Sequence, residues 1–154
     1  MNIHIREEQA GDRLFIFNLI EKAFADVAES DHQEQFLVER LHQSKTFVPS
    51  LSLVAETENW QIVGYILLTE VEIVSNNSID LALGVAPLAV LPEYQRMGIG
   101  GMLLHEAWKS HSTLTLLATQ DLPTFLFYMI DPLKSWCWVQ YYFTLLKILV
   151  FLRF

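Results

Sequence analysis

Residues 85–104 read VAPLAVLPEYQRMGIGGMLL and carry the strongest structural signal in the chain. The segment runs from an apolar, strand-like stretch through a turn into a glycine-rich loop that opens an amphipathic helix. Such a junction presents backbone amides at the positive end of a helix dipole, where a phosphate can bind. Because side chains would hold a ligand away from the backbone, Gly98, Gly100 and Gly101 indicate a phosphate-binding loop rather than a plain turn.

The same periodicity, followed along the chain, predicts one mixed α/β layer in the order β-α-α-β-β-β-α-β. The loop is not of the Walker type, since no Gly-Lys-Ser/Thr follows the glycines. The predicted strands are Asn2–Arg6, Leu51–Glu56, Gln61–Val74, Ile79–Leu91 and Leu114–Ala118, with turns at Thr57–Trp60 and Asn76–Ser78. The predicted helices are Ala10–Val27, with apolar positions that include Leu14 and Phe15, a helix around Phe36–Leu41 capped by Asp31, and Gly98–Lys109.

The fourth predicted strand contains two residues that weaken a regular ladder, Gly84 and Pro87. Glycine packs no side chain and proline donates no hydrogen bond, so their presence predicts a bulge or a point where the strand leaves its neighbour. Backbone groups along Leu88–Val90 would then be available to an extended ligand, which could bind as an additional strand.

Composition excludes several classes of protein. A chain of 154 residues with 52% hydrophobic residues fits one folded domain rather than a disordered segment. All 18 acidic residues lie at or before Asp131, so residues 1–131 carry a net charge of −11 against −8 for the whole chain. That charge disfavours nucleic acid as a partner and favours a cationic ligand such as an amine.

The single cysteine, Cys137, excludes an internal disulfide and a cysteine-based metal cluster. The five histidines show no metal-binding spacing, so no metal is expected. The polar N-terminus is not a secretory signal, which makes the cytoplasm the expected location. The sequence is compatible with a homodimer but has no feature that specifies one.

Residues 87–104, PLAVLPEYQRMGIGGMLL, resemble motif A of the GCN5-related N-acetyltransferase (GNAT) superfamily, of the small bacterial acetyltransferase type. The superfamily signature is Gln/Arg-x-x-Gly-x-Gly/Ala, and residues 95–100 here read QRMGIG. The order of elements from Asn2 to about Ala118 is similar as well. The resemblance implies an acyl-CoA N-acyltransferase fold, with acetyl-CoA as co-substrate and an amine as acceptor.

The resemblance also assigns roles to the loop and to the strand before it. Amides of residues 97–101 would hold the diphosphate, the backbone of Leu88 and Val90 would pair with the pantetheine arm, and an amide near Val90 would polarise the thioester carbonyl. The full set of expected cofactor-binding residues is Leu88, Ala89, Val90, Gln95, Arg96, Met97, Gly98, Ile99, Gly100 and Gly101.

No residue is singled out as catalytic, and four are candidates. A base must take a proton from the substrate ammonium, and Glu56, Glu70 and Glu72 lie on strands where a carboxylate could do so. For each of them alone, the sequence favours an ordinary exposed strand residue over a base. In many GNAT relatives a tyrosine protonates the departing thiolate, and Tyr128 is the nearest candidate in this sequence.

The likeness ends after Ala118, and the chain is divided into a GNAT domain at residues 1–131 and an atypical apolar, aromatic-rich tail at residues 132–154. Three interpretations of the tail stay open. It could complete the fold in a divergent sequence, or form a membrane anchor within Trp136–Leu152, although Lys147 opposes insertion. It could also result from a shift of reading frame near residue 118, which would leave a non-catalytic or truncated acyl-CoA-binding domain.

Overall fold

A computed structural model of the chain describes residues 2–28, 30–45, 47–74, 79–110 and 115–118. Five strands and three α-helices lie within these ranges: β1 (Ile3–Glu7), α1 (Arg13–Phe24), α2 (Glu34–His42), β2 (Ser52–Thr57), β3 (Ile62–Val74), β4 (Ile79–Val90), α3 (Ile99–Ser110) and β5 (Thr115–Ala118). Short 3-10 turns occupy Ala10–Asp12, Pro49–Leu51 and Pro92–Tyr94. The predicted mixed α/β class and order of elements are confirmed.

The described strands form one sheet in the order β1-β2-β3-β4-β5. The first three neighbouring pairs are antiparallel, and β4 and β5 are parallel. A tight turn joins β2 to β3, with the Trp60 amide donating to the Thr57 carbonyl at 2.9 Å. A parallel pair needs a crossover connection, which α3 supplies. The N-terminus of α3 therefore follows the carboxyl end of β4, where ligands bind in many α/β sheets.

Strand β4 is irregular in its middle. Its register pairs Leu88 with Ile66 but Val85 with Leu68, so Ala86–Pro87 lies opposite a single residue of β3. Two residues against one define a bulge, and proline suits it because the ladder loses a donor there in any case. Within the described residues, β5 pairs with β4 only on the N-terminal side of this bulge. The predicted bulge is thus confirmed.

Helix α3 packs closely on the sheet through one apolar stripe. Ile99, Leu103 and Ala107 are buried and recur every four residues, the spacing of one helical face. A Cβ placed on Gly64 of β3 would lie 3.0 Å from Ile99 Cγ2 and 3.1 Å from Leu103 Cδ1. Glycine at position 64 therefore lets the helix approach the strand closely, which fixes where the loop before α3 sits.

Helices α1 and α2 cover the face of the sheet to which Tyr65 points. The Tyr65 hydroxyl and His42 of α2 both donate to the Glu8 carboxylate, so the Tyr65 side chain lies on the same face as α2. Alternation along β3 places Tyr65 on the face opposite to Gly64, and therefore opposite to α3. The two helices meet through an edge-to-face contact of Phe17 with Phe36, whose ring centroids are 5.3 Å apart. Their core residues are Ile16, Leu19, Ile20, Val38 and Leu41.

Several local predictions need correction. The first helix begins at Arg13 after a 3-10 turn rather than at Ala10, and ends at Phe24. Leu14 and Phe15 are exposed, because Ile16, Leu19 and Ile20 occupy the buried stripe instead. The N-cap position of α2 is Gln33, not Asp31. The Asp31 carboxylate instead accepts a hydrogen bond from the Gln33 amide at 3.0 Å.

Four sequence predictions fall outside the described residues: the Asn76–Ser78 turn, the candidate Tyr128, the division at residue 131 and the tail at 132–154. The proposed anchor within Trp136–Leu152 is part of that tail. Among the residues that are described, no helix is long and apolar enough to cross a bilayer.

Candidate functional site

The segment Leu91–Gly98, here called the Gly98 loop, connects β4 to α3. It starts on the sheet, where the Leu91 amide donates to the Val63 carbonyl at 3.0 Å. A 3-10 turn follows, and the Gln95 side-chain amide then returns to donate to the Val90 carbonyl at 3.0 Å. The loop is therefore tied to β3 through Leu91 and to the end of β4 through Gln95, while residues 95–98 are exposed.

The tip of the loop depends on left-handed backbone. Gly98 has φ 83° and Arg96 has φ 60°. A Cβ is strained at φ 83°, so the backbone conformation favours glycine at position 98, even though a Cβ there would meet no atom within 4 Å. The two residues turn the chain at the end of the loop, so that α3 begins at Ile99.

The other two glycines have different reasons to be glycine. A Cβ on Gly100 would make ordinary contacts, 3.6 Å from Leu88 Cδ2 and 4.0 Å from Val90 Cγ2. A Cβ on Gly101 would point into open space. Neither position has a positive φ, so glycine is not needed there for a turn. Its effect is that no side chain projects from the start of the helix at these two positions. Such a surface suits a ligand that lies against the backbone.

The N-terminus of α3 offers donors to such a ligand. The Met102 amide donates to the Gly98 carbonyl at 3.0 Å as the helix begins. The amides of residues 99–101 precede that bond and have no acceptor within the helix, as in the first turn of any α-helix. Together with the helix dipole they form an electropositive site for a phosphate group.

The edge of β4 next to this site is the second part of the arrangement. Since the Leu91 amide faces β3, alternation along the strand turns the amide and carbonyl of Val90 to the opposite edge. The bond from Gln95 to the Val90 carbonyl agrees with this direction. The structure thus places the end of β4 next to Gln95 of the loop and next to Gly100 in the first turn of α3.

Glu56, the first candidate base, is buried rather than an exposed strand residue, at 2% exposure. Its Oε2 accepts from Arg6 Nε at 2.9 Å, and its Oε1 lies 3.3 Å from His4 Nδ1. Arg6 also binds Asp12 through two nitrogens, at 2.6 and 3.2 Å. Both oxygens of Glu56 are engaged in this group, here called the Arg6 cluster (His4, Arg6, Asp12 and Glu56), so it is poorly placed to take a proton from a substrate.

The other candidates are not brought to the Gly98 loop. Glu70 is exposed, and it lies six residues along β3 from Gly64, the partner of Val90. At about 3.3 Å per residue these positions are roughly 20 Å apart along the strand. Glu72 lies farther still, opposite Leu81. Tyr128 falls outside the described residues.

Sequence reasoning missed a buried polar group on the α1–α2 face, the Glu8 cluster (Glu8, His42, Ser52 and Tyr65). The Glu8 carboxylate accepts from His42 Nε2 at 2.7 Å, from the Ser52 hydroxyl and from the Tyr65 hydroxyl at 3.3 Å. Burial alone would raise the pKa of Glu8, but hydrogen bonds from His42 and Ser52 outweigh it, and the pKa is lowered. Burial next to Glu8 raises the pKa of Tyr65 well above its usual value.

The Arg6 cluster shows the same electrostatic pattern. The hydrogen bond from Arg6 is the largest influence on Asp12 and lowers the pKa of that carboxyl group. The Arg6 cluster joins β1 to Glu56, and the Glu8 cluster joins the residue after β1 to His42, Ser52 and Tyr65. These partners lie far along the chain, so no local sequence motif indicates either cluster. Within the described part of the chain, no group of three or more His, Cys, Asp or Glu side chains is arranged to hold a metal ion.

The chain is similar to known proteins. Residues 49–128 match the family model "Acetyltransferase (GNAT) domain". The chain is 37% identical over 97 residues to the uncharacterized N-acetyltransferase YjhQ of Escherichia coli, covering 58% of this chain and 53% of that protein. It therefore spans about half the length of this curated relative.

Two solved structures are similar as well. A GNAT family acetyltransferase from Brucella melitensis, in complex with acetyl-CoA, has a TM-score of 0.66 and 33% identity, covering 79% of this chain and 77% of that one. The GNAT protein YhbS from Escherichia coli, in complex with CoA, has a TM-score of 0.65 and 25% identity, covering 79% and 64%. The chain belongs to the GNAT acetyltransferase family, a class of acyltransferases.

Proposed function

We propose that this protein is an N-acetyltransferase that transfers an acetyl group from acetyl-CoA to a primary amine of a small molecule or a protein. The observation that carries the proposal is the Gly98 loop, whose left-handed glycine brings the first turn of α3 next to the outer edge of β4. A diphosphate and an extended thioester arm fit these two neighbouring features.

Acetyl-CoA would bind with its diphosphate on the amides of residues 97–101 and its pantetheine arm along Leu88–Val90. Backbone amides bind phosphate without a counter-charge, which suits a loop where Arg96 is the sole cationic side chain between residues 85 and 104. The similar structures from Brucella melitensis and Escherichia coli, which contain acetyl-CoA and CoA, support this choice of co-substrate.

The reaction follows from placing the two substrates together. The neutral amine attacks the thioester carbonyl carbon, a C–N bond forms, the C–S bond breaks, and CoA leaves as a thiolate. The amine nitrogen loses a proton, and the thiolate takes one up. Holding both reactants in line removes up to about 7–11 kcal/mol of the barrier. The Val90 amide would stabilise negative charge on the carbonyl oxygen.

The second candidate function is that of a non-catalytic acyl-CoA-binding domain. The specific observation in its favour is the placement of the described candidate bases. Glu56 is engaged by Arg6, and Glu70 lies about 20 Å along the sheet from the partner of Val90. A water molecule or the acceptor itself would then have to carry the proton.

Two measurements on the full chain separate these functions. Calorimetry with acetyl-CoA should detect binding, and release of free thiol from acetyl-CoA should accelerate when a panel of primary amines is added. Binding with no acceleration by any amine would favour the non-catalytic domain. Absence of binding to folded protein would rule out both functions. A cytoplasmic location, the domain boundary at residue 131 and a homodimer are kept as predictions from the sequence.

A further inference from the structure

We propose, on the basis of the function proposed above, that Gln95 is a positioning residue that holds the end of β4 in the geometry the thioester requires. Gln95 was expected from the sequence to be among the residues that bind acetyl-CoA. In the structure, however, its side-chain amide is committed to the protein itself, because it donates to the Val90 carbonyl at 3.0 Å.

The bond acts on one particular peptide group. The Val90 carbonyl and the Leu91 amide belong to the same planar unit, which rotates as one body. Gln95 holds the carbonyl end, while the Leu91 amide donates to the Val63 carbonyl at 3.0 Å. The peptide between residues 90 and 91 is therefore held from both sides, by the loop on one edge and by β3 on the other.

This double restraint sets the direction of the neighbouring Val90 amide. Val90 is the last residue of β4, where a strand without further restraint is free to twist. With the following peptide fixed, only rotation within Val90 itself can turn its amide away from the ligand edge. Preorganised donors stabilise a developing oxyanion more strongly than mobile ones, because they need no reorganisation during the reaction.

The same bond distinguishes the two polar groups of Val90. The carbonyl accepts a hydrogen bond from Gln95, and it is the Val90 amide that we assign to the ligand. Gln95 also belongs to the Gly98 loop, so the residue links the phosphate end of the site to its thioester end. A change at Gln95 therefore affects turnover through Val90 rather than through lost contact with the cofactor.

Gln95 suits mutagenesis because its side chain is exposed, and truncation leaves no cavity in the core. Gln95→Ala removes the donor, and Gln95→Glu keeps the shape but offers no N–H to the carbonyl. Gln95→Arg retains donors of sufficient reach. Gln61→Ala is the matched control, since Gln61 is another exposed glutamine, whose Oε1 accepts from the Tyr94 hydroxyl at 3.3 Å without touching the residue 90–91 peptide.

The first readout is independent of catalysis. The Leu91 amide hydrogen is protected by its bond to the Val63 carbonyl. Its exchange, measured by NMR on the protein without cofactor, should accelerate about three- to tenfold in Gln95→Ala and Gln95→Glu, the range set by one hydrogen bond. Gln95→Arg and Gln61→Ala should exchange like the wild type. Equal exchange in all five proteins would overturn the positioning role.

The second readout is the split between kcat and KM. In Gln95→Ala and Gln95→Glu, kcat should fall about three- to tenfold while KM for acetyl-CoA changes less than kcat and the melting temperature stays the same. A rise in KM with unchanged kcat would mean that Gln95 contacts the cofactor, and the inference would be wrong. Altered exchange in a protein that turns over no amine would refute acetyl transfer while leaving the Gln95–Val90 restraint established.

Discussion

The Gly98 loop and the Glu8 cluster use polar groups in opposite ways. The loop is exposed at its tip, is built from backbone amides, and lies within one continuous stretch of chain. The Glu8 cluster is buried, consists of side chains, and joins the residue that follows β1 to α2, β2 and β3. At the start of α3, after the loop, backbone amides have no acceptor within the helix and can bind an external anion. In the cluster, one carboxylate accepts three hydrogen bonds from the protein.

This contrast teaches that the two regions serve different purposes. A buried carboxylate whose partners are all supplied by the protein contributes to the folded state, since each removed partner leaves a polar group without compensation. A helix start with spare donors costs little in water and becomes valuable only when an anion arrives. Substitutions in the cluster should therefore affect stability, and substitutions in the loop should affect binding.

The largest effect is expected from Glu8→Ala. Removing the carboxylate leaves His42, Ser52 and Tyr65 without their shared acceptor, and it should lower the free energy of unfolding by about 3–5 kcal/mol. Chemical denaturation measures this change. The control is Glu7→Ala, an exposed neighbour in β1, which should shift stability by less than about 0.5 kcal/mol. Equal effects of the two variants would remove the distinction between cluster and surface.

A smaller loss of stability is expected from Glu56→Gln in the Arg6 cluster. The charged partner of Arg6 is replaced by a neutral one, so unfolding should become easier by about 1–3 kcal/mol. Turnover per folded molecule should stay unchanged, because Glu56 is bound to Arg6 rather than to substrate. Glu58→Gln, a change at an exposed residue in the turn that follows β2, is the control for stability. A large fall in kcat with unaltered stability would identify Glu56 as the base after all.

A substitution in the Gly98 loop should change the affinity for acetyl-CoA rather than the stability of the core. Gly98→Ala places a Cβ on a residue with φ 83°, at a cost of about 1–2 kcal/mol that the loop relieves by changing shape. Affinity for acetyl-CoA, measured by calorimetry, should therefore fall about tenfold while the core stays intact. Gly11→Ala is the matched control, since Gly11 has open space around it and no positive φ. Unchanged affinity in Gly98→Ala would show that the loop does not bind the diphosphate.

The smallest effect concerns pH. The folded pKa values of Glu8 and Asp12 are lowered from their ordinary values of 4.5 and 3.8. A lowered pKa adds stability above the unfolded value, and this contribution is lost as pH falls through the folded value. Wild-type stability should hence decline below about pH 4.5, and Glu8→Gln should decline less steeply. Parallel pH profiles for the two proteins would contradict the prediction.

Sequence reasoning located the loop because everything that defines it is local. Val85 to Leu104 form a strand, a turn and a helix start in succession, and proline and glycine fix the turns through their own backbone preferences. The same local rules predicted the bulge beside Pro87. The local rules failed for Leu14 and Phe15, which are exposed. Periodicity predicts a helix with apolar residues, but packing against the sheet determines which side of the helix is buried.

Sequence by itself therefore determined the order of elements, the site of the glycine turn and the family to which the chain belongs. Only the tertiary structure decided that Glu56 is enclosed by Arg6 and His4, that Glu8 meets His42 and Tyr65, and that Gln95 turns back to Val90. The physical reason is the range of the interactions. Backbone preferences act between neighbouring residues, whereas hydrogen bonds between side chains depend on which distant strands and helices the packing brings together.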